Sequence, residues 1–501
     1  MSITATASTA HMVKLPMGRD RWRYHTGLIV CGLLAAGGAG AQAVGSPNQG
    51  QGLGNTLRDE SGAPIAHGLQ LEYGVDAGIG ETDNINLTPT NKVSQTTALI
   101  DVDFDAKERS ERLDADARGA FSYLDFLQGA YGSELIGRFD GSAELALIQD
   151  RLTWRFQDDF GQAQLDPFAA VTPANRENVN YFSTGPQLEL RFGPTVFLNA
   201  GARYSRTDYQ TSPFDSNRFE GDLGVGTHLS SRSSASVDGS FERVLFTTTV
   251  IDDVVVNTNF NRSSVFGHYE LEGARTTVTA NLGATKVDQG SDSNTGPSAK
   301  LKVARNLSSA SKLTFSLGRD LTDASAGFGN LQAGAIPVVG TAPAAQQLLN
   351  YTVTYATAEW SYQRNRTGIF VSANWERDQY SGQSELDLTR SQLQFRFDRQ
   401  LTRSFSADFF ASIGRVNYPH PDLLAVTDPQ PIVVNSEASG FAETDGQVGT
   451  NLVYRYGRGL EFRLRYDHTT RIVSGVASGS GYQANRVFLT LGYRPGKAGP
   501  G

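Results

Sequence analysis

Residues 69–79 read Leu-Gln-Leu-Glu-Tyr-Gly-Val-Asp-Ala-Gly-Ile, and their alternation is the first evidence for the fold class. Its odd-numbered residues are apolar or aromatic, whereas its even-numbered residues are polar, acidic or glycine. Because a strand points successive side chains to opposite faces, the stretch predicts a β-strand with one apolar and one polar face. A helix would mix the two sets around its circumference. The same alternation recurs as far as residue 494, and no helical period follows the leader.

This repetition predicts an all-β fold: a single transmembrane antiparallel up-and-down β-barrel of about 20 strands, within the range 16–22, with a polar lumen. Ten long connections alternate with nine short ones, and residues 288–296 are counted among the long ones. Outer-membrane barrels have short periplasmic turns and longer extracellular loops, which is the alternation found here. An even number of strands places both chain ends in the periplasm.

The one continuous apolar run, residues 27–39, follows a basic segment and precedes an Ala-Gln-Ala sequence that fits the A-x-A cleavage rule. We therefore predict a signal peptide at residues 1–43. The alternatives are cleavage two residues earlier and a start at an internal methionine. The expected location after cleavage is the outer membrane of a Gram-negative-type cell.

The remaining chain divides into three parts. Residues 44–68 are rich in Gly, Ser, Asn and Gln without a period, which predicts a flexible periplasmic tail. The barrel is predicted at residues 69–494 and a C-terminal tail at residues 495–501. The last predicted strand resembles the C-terminal assembly signal of outer-membrane barrels, but the chain continues through Arg494 where a terminal aromatic residue is usual.

The composition excludes several classes of function. The formal net charge is −8 at pH 7 and no basic stripe is present, so nucleic acid is not an expected partner. The single cysteine, Cys31, lies in the predicted leader, which leaves the mature chain without a disulfide or a thiolate metal site. No nucleophile, zinc-protease, P-loop or dinucleotide motif occurs. We predict no enzymatic activity, no catalytic residue, no metal and no cofactor.

Five aspartates fall on the polar parity of one predicted hairpin, near the periplasmic mouth of the lumen: Asp101, Asp103, Asp105, Asp114 and Asp116. An EF-hand is excluded, because Ala106 and Arg112 stand where that loop needs glycine and glutamate. This acidic patch either biases the pore towards cations or binds one, or it is a solvated wall whose carboxylates pair with nearby arginines. The arginines considered for that pairing are Arg118, Arg138, Arg151 and Arg155.

Arginines on the polar parity must face a wet interior, because a lipid-facing arginine costs about 2–4 kcal/mol at the bilayer midplane. The basic residues predicted to line the lumen are Arg118, Arg138, Arg155, Arg191, Arg203, Arg463 and Arg465. Three long connections, near residues 158–180, 323–350 and 418–440, carry much of the proline and many small apolar residues. Each of them either folds inwards as a constriction or lid, or packs on its neighbours at the surface.

The stretch after the first predicted strand, residues 81–89, reads Glu-Thr-Asp-Asn-Ile-Asn-Leu-Thr-Pro. Asp83, Asn84, Leu87 and Pro89 in this stretch resemble the Tyr/Thr–Asp–Asn–aliphatic–x–Leu–x–Pro signature of a family of outer-membrane β-barrel porins. That family is associated with exopolysaccharide and PEP-CTERM (exosortase) systems. Asp83 and Asn84 also suit an ordinary turn, since their side chains bond local backbone groups.

The resemblance implies an outer-membrane barrel that passes, or helps to pass, a secreted polysaccharide. The expected partners are then outer-membrane lipid, polysaccharide and proteins of the export machinery. No catalytic residue is carried over. The sequence therefore predicts a conduit or accessory protein in extracellular polysaccharide export. The alternative is a general or solute-selective porin for small hydrophilic molecules, and a third hypothesis is a scaffold with a blocked lumen.

The inner wall distinguishes these hypotheses. A glycan path needs aromatic and amide platforms, whereas an ion pore needs bands of opposed charge. The candidate platforms are Trp360, Tyr362, Phe370, Gln392, Gln394 and Phe488. For Trp360 and Tyr362 the parity is ambiguous, and a lipid-facing position is the alternative.

Overall fold

The computed structural model describes residues 68–163, 170–212, 215–247, 249–251, 254–256, 259–323, 350–381, 384, 387–419, 441–457, 459–475 and 481–495. The predicted signal peptide and nearly all of both predicted tails lie outside these residues. Most of the connections at 323–350 and 418–440, and residues 164–169 of the third long connection, lie outside them too. The predicted inward folding of the connections at 323–350 and 418–440 therefore falls outside the described part of the chain. In the connection at 158–180, the described residues 170–176 pack on a neighbouring strand, where Arg176 pairs with Glu134.

Twenty long strands, a short two-stranded hairpin and one 3-10 helix at Pro173–Asn175 make up the described secondary structure. The first eleven strands are β1 (Gly68–Thr82), β2 (Gln95–Arg109), β3 (Leu113–Phe126), β4 (Glu134–Ile148), β5 (Leu152–Ala163), β6 (Glu177–Phe192), β7 (Val196–Tyr209), β8 (Ser216–Ser230), β9 (Ser233–Phe246), β10 (Thr249–Ile251) and β11 (Val254–Val256). The others are β12 (Phe260–Glu272), β13 (Thr276–Gln289), β14 (Asp292–Ser308), β15 (Ser311–Asp323), β16 (Asn350–Arg364), β17 (Thr367–Tyr380), β18 (Leu388–Gln400), β19 (Phe405–Tyr418), β20 (Phe441–Tyr456), β21 (Leu460–Ser474) and β22 (Tyr482–Tyr493).

The twenty long strands form one antiparallel sheet that closes on itself. Each strand pairs with its neighbour in the chain, except that β9 pairs with β12 because the β10–β11 hairpin lies in the connection between them. Pairing of β1 with β22 completes the ring. The predicted single up-and-down β-barrel is confirmed, and so is the predicted strand number.

The alternation in β1 separates an outer face from an inner face. Leu69 and Ile79 are 52% and 55% exposed, whereas Asp76 is 1% exposed. Directly paired residues of neighbouring strands share a face, so Asp101 of β2 joins Asp76 on the inside. An apolar outside and a polar inside invert the arrangement of a water-soluble protein and suit a bilayer.

The strands are long enough to cross a membrane and project beyond its apolar core. A strand such as β17, with 14 residues, rises about 35 Å along the barrel axis at a tilt of about 40°. The outward apolar band of such barrels is about 25 Å tall, so strand ends reach the head-group region. Exposed tyrosine and tryptophan side chains on the outer face, which suit that region, include Tyr123, Tyr269, Trp375, Tyr454, Tyr456, Tyr466 and Tyr493.

The two ends of the barrel differ in their connections. Short turns such as residues 231–232 and 365–366 lie at one end, together with the start of β1 and the end of β22. The longer connections lie at the other end. We assign the short-turn end to the periplasm, as in other barrels of this type. Within the described chain, no helix has the length and apolar character needed to cross a membrane.

One predicted long connection is wrong. Residues 288–296 lie mostly in β13 and β14, and only residues 290–291 form the turn between these strands. Gly290 has a φ of 60°, the left-handed conformation that a tight hairpin turn requires. The polar composition of this stretch predicts a loop because the tip of a strand beyond the bilayer lacks the apolar parity of a membrane-spanning segment.

Candidate functional site

The five predicted acidic residues point into the barrel, because their register partners on β1 and β3 share the inner face with Asp76. Four of them form ion pairs rather than a free acidic patch. The nitrogen–oxygen distances are 3.3 Å for Arg118–Asp105, 2.5 Å for Arg109–Asp114, 2.7 Å for Arg109–Asp116 and 2.9 Å for Arg494–Asp103. The fifth, Asp101, is fully buried opposite Ser122. Of the four arginines considered for this pairing, only Arg118 takes part.

The seven predicted basic residues also point inwards, and each forms an ion pair with a carboxylate on its own strand or an adjacent one. The pairs are Arg118–Asp105, Arg138–Asp140, Arg155–Glu144, Arg191–Glu189, Arg203–Glu220, Arg463–Glu461 and Arg465–Asp467. In all seven pairs the two residues lie two positions apart along one strand or directly opposite each other on paired strands. Opposite charges are therefore matched locally along this wall, which weakens its field at a distance.

The exposure of the inner wall differs between the two ends of the barrel. Near the short turns, the side chains of Asp114, Glu144 and Arg155 are 60%, 50% and 47% exposed. Towards the long-loop end, Asp159 is 0% and Glu177 is 2% exposed. Along β3–β6 the interior thus consists of a solvent-accessible part next to the periplasm, which we call the vestibule, and a packed part at the extracellular end. At the seam the wall differs, because Glu461 near the short turns is 2% exposed.

Six aromatic side chains line the inner face at or near the extracellular ends of their strands. We call them the aromatic collar: Phe126, Tyr181, Tyr209, Phe260, Tyr380 and Tyr418. All six are buried. Phe260 packs with Val244, Val287 and Leu321, and Tyr418 packs in a second apolar cluster. The collar is not among the sequence-based predictions, although an aromatic residue on the polar parity beside a long connection is a signal for it.

At the same end of the barrel, four buried charged side chains form ion pairs between strands on the inner face. Asp323, the last residue of β15, binds Arg218 of β8 at 2.8 Å and also binds Arg262 of β12. Glu242 of β9 binds both of these arginines. Because β13 and β14 lie between β12 and β15 in the sheet, Asp323 reaches inwards past two strands. We call these four residues the brace, and no motif in the sequence identifies it.

The brace is electrically balanced and shielded from solvent. Its two carboxylates and two guanidinium groups are at most 13% exposed. Buried charges persist only when each is paired, since removal from water costs several kcal/mol per ion. The brace fixes the end of β15 against the wall formed by β8, β9 and β12.

The motif that resembles the porin signature lies at the seam where the barrel closes. β1 pairs with β22 only along residues 75–82, whereas it pairs with β2 along its whole length. Directly beyond this pairing, Asp83 accepts hydrogen bonds from the backbone N and the Nδ2 of Asn485 at 2.8 and 2.6 Å. Asn84 Nδ2 donates to the carbonyl oxygen of Gln483 at 3.0 Å. We call these four residues the seam clasp.

The rest of the motif shapes the loop that carries the clasp. Asn84 Oδ1 accepts a hydrogen bond from the backbone N of Thr88 at 3.1 Å, and Asn84 Nδ2 donates to the carbonyl of Thr88 at 2.8 Å. Leu87 is buried and has a φ of 52°, a strained conformation for leucine, directly before Thr88 and Pro89. Partial burial raises the pKa of Asp83, but hydrogen bonds from Asn485 and the charge of Lys92 outweigh it and hold the pKa below its ordinary value of 3.8.

Arg494, which follows the last strand, fastens the other end of the seam. Its guanidinium lies 3.0 Å from Asp76 of β1, 2.9 Å from Asp103 of β2 and 3.0 Å from Glu461 of β21. Gly74 leaves room for it, because a Cβ at that position would overlap the Arg494 side chain. Arg494, which stands where a terminal aromatic residue is usual, therefore links β1, β2 and β21 across the closure of the barrel.

The candidate glycan platforms divide between the two faces. Four of them share the inner face: Phe370, Gln392, Gln394 and Phe488. Trp360 and Tyr362 lie outside, where Trp360 pairs with Leu313 and Val371. Their rings stack with centroids 6.3 Å apart, and Trp360 Nε1 donates to Ser311 Oγ at 2.9 Å. In the described residues, no group of three or more potential ligands is placed to hold a metal ion.

Comparisons with known proteins give matches only among solved structures. No protein-family model and no curated protein sequence matches the chain. A mutant of the ferric enterobactin receptor PfeA from Pseudomonas aeruginosa is 9% identical with a TM-score of 0.41, covering 86% of this chain and 81% of the receptor. The siderophore receptor PirA from Acinetobacter baumannii is 10% identical with a TM-score of 0.44, covering 86% and 81%.

The FrpB iron transporter from Neisseria meningitidis is a similar case, with 8% identity and a TM-score of 0.42 over 85% of this chain and 83% of the transporter. Identities and TM-scores this low carry no information about cargo. The geometry of the barrel interior is therefore the evidence for function.

Proposed function

We propose that the chain is an outer-membrane conduit, or part of one, for an extended hydrophilic cargo that enters from the periplasm, with an exported polysaccharide as the favoured cargo. The observation that carries this proposal is the asymmetry of the interior. The vestibule is wet and charge-balanced, whereas the aromatic collar and the brace pack the extracellular end. A path with this asymmetry admits cargo from the periplasmic side and opens outwards by rearrangement of the collar.

The chemistry of the vestibule supports a glycan over a small ion. An ion pore is selective when charges of one sign face the path without partners, but the seven predicted arginines of this wall are each paired with a carboxylate. Paired charges still offer donors and acceptors to sugar hydroxyl groups. Phe370 adds an apolar face near the short turns, and Gln392 and Gln394 add amides further along the inner wall. Phe488 lies at the other end, where it packs against the cluster that contains Phe126 of the collar.

A porin for small hydrophilic molecules is the second candidate. The solvent-accessible side chains of Asp114, Glu144 and Arg155 favour it, because they line a space that small solutes also enter. The two candidates differ in what the collar must let through. A porin passes small solutes through the collar as it stands, whereas a polymer conduit keeps them out until the collar opens.

Proteoliposomes test this difference. The refolded mature chain is reconstituted into vesicles loaded with a linear neutral oligosaccharide, a globular marker of similar mass and a small uncharged sugar. We expect slow release of the small sugar, and release of the linear oligosaccharide in preference to the globular marker. Rapid release of the small sugar without preference among the larger solutes favours the porin and contradicts the polysaccharide path.

A further inference from the structure

A second feature of the molecule lies outside the lumen, on the periplasmic rim at β16–β18. A shallow cavity of about 560 Å³ opens at the turn between β16 and β17. Three arginines line it together with a tyrosine, an asparagine and a threonine: Tyr362, Arg364, Asn365, Arg366, Thr367 and Arg399. Three guanidinium groups make the surroundings of this cavity positive, which favours an anionic ligand.

The register places this cavity on the lipid-facing side. Arg364 pairs directly with Thr367, and Thr367 pairs directly with Arg399, so the three share one face of three adjacent strands. Two positions further along β17 on that face is Ile369, and the exposed Trp375 belongs to it as well. The two arginines therefore flank Thr367 on the outer surface, in contrast to the arginines of the lumen.

These outer arginines also differ from the lumen arginines in their partners. Within the described residues, none of the three has an ion pair, and Arg399 Nη1 donates only to Thr367 Oγ1, at 3.1 Å. All acidic residues of β16–β18 face the interior: Glu359, Glu376, Asp378 and Asp398. The outer face of these strands is consequently positive at its periplasmic end, with guanidinium groups free to bind an anion.

The surroundings of the cavity specify an amphiphilic ligand. The strands extend past the hydrocarbon, so their ends lie at the level of the lipid head groups. Above the cavity, the outer face continues as an apolar surface made by Ile369, Val371, Phe395 and Phe397, beside the stacked rings of Trp360 and Tyr362. A ligand with a phosphate at the rim and acyl chains along this surface matches both parts.

We propose that this cavity binds the phosphate of an anionic phospholipid in the periplasmic leaflet. Arg364 and Arg399 bind the phosphate oxygens through their planar guanidinium forks, Thr367 offers its hydroxyl group between them, and Arg366 extends the positive field from the turn. A zwitterionic phospholipid binds less well, because its ammonium group cancels the charge that the three arginines recognise. The lipid is held on the outside of the barrel and leaves the transport path unobstructed, so this proposal is independent of the cargo.

Trp360 makes the site measurable. In a Trp154→Phe/Trp375→Phe background it is the single tryptophan of the mature chain, since Trp22 lies in the predicted leader. The refolded protein is placed in vesicles with a fixed fraction of brominated phosphatidylglycerol or brominated phosphatidylcholine, and quenching of Trp360 gives the relative association of each lipid. We expect phosphatidylglycerol to be preferred, and the double substitution Arg364→Gln/Arg399→Gln to reduce the preference by about fivefold per arginine.

The matched control is Arg232→Gln, which removes an exposed arginine from a different periplasmic turn and leaves the preference unchanged. Heat-modifiable gel migration shows that each variant is folded. Equal quenching by the two lipids in the parent protein, or an unchanged preference in the double variant, overturns the proposal. Loss of the preference on adding inorganic phosphate at constant ionic strength assigns the site to free phosphate and overturns its lipid assignment.

Discussion

Asn485 Nδ2 donates a hydrogen bond of 2.6 Å to Asp83 Oδ2, across a sequence separation of 402 residues. This contact joins the loop after the first strand to the start of the last strand, directly beyond the shortened pairing of β1 with β22. The motif that resembles a porin signature therefore has a structural task in this chain. It holds the barrel closed at the extracellular end of its seam.

Removal of Asn84 tests the seam clasp. Asn84→Ala deletes the bonds to Gln483 and Thr88 and leaves their backbone groups without these partners. We expect the free energy of unfolding to fall by about 1–3 kcal/mol. Urea titration of the protein in lipid vesicles, followed by tryptophan fluorescence, measures it. The control Thr90→Ala, at an exposed position of the same loop, should change stability by less than about 0.5 kcal/mol.

The clasp should also respond to acid. The pKa of Asp83 is lower in the folded protein than its ordinary value of 3.8. The carboxylate therefore contributes stability that is fully present above that value and is lost as the pH falls through the lowered pKa. In urea titrations between pH 6 and pH 2, Asp83→Asn should be less stable than the parent protein near neutral pH and lose less stability in acid. Parallel curves for the two proteins contradict this role of Asp83.

Arg494 should be the most important single residue of the seam. Arg494→Ala leaves Asp76 and Glu461 buried without that cation, and we expect a loss of about 3–5 kcal/mol in the free energy of unfolding. The matched control is Arg191→Ala. Arg191 is also paired on the inner wall, but its side chain is 63% exposed, so the expected loss is at most about 1 kcal/mol. Similar losses in the two variants would show that the fastening of the seam depends on other residues.

The brace should limit the opening of the extracellular end. Asp323→Asn removes the negative charge that holds Arg218 and Arg262, and we expect a higher single-channel conductance together with a loss of about 3–5 kcal/mol in stability. The control Asp320→Asn lies three positions away on the same strand and removes a partly exposed pair with Lys300. That change should leave the conductance at the parent value and stability within about 1 kcal/mol. An unaltered conductance in Asp323→Asn assigns the brace to stability alone.

The sequence was sufficient for the architecture because a strand in a barrel has only two environments. Lipid selects one parity and water selects the other, so the alternation in segments such as residues 69–79 predicts both the strand and its orientation. The prediction is wrong for residues 288–296, where the strands extend beyond the bilayer and water surrounds both faces. It is ambiguous for Trp360, because an aromatic residue near the interface suits either face.

The seam and the brace could not be predicted from the sequence. Each depends on contacts between distant residues, such as Arg494 with Asp76 and Asp323 with Arg218. Periodicity assigns a residue to a face but gives neither the height at which distant strands meet nor the inward displacement of a strand end. The ion pairing of the inner wall was only partly predictable for the same reason. Arg118 pairs with an aspartate of the first hairpin as considered, but the other paired aspartates are neutralised by Arg109 and Arg494.

Planar-bilayer conductance of the refolded mature chain, with and without neutral and acidic oligosaccharides on the periplasmic side, distinguishes a polysaccharide path from an open pore. We expect a low basal conductance, because the collar and the brace pack the extracellular end, and a concentration-dependent block when an oligosaccharide enters the vestibule. Added on the extracellular side, the same sugars should block weakly. A steady, large conductance that sugars do not affect from either side contradicts a polysaccharide path and identifies the chain as a general porin.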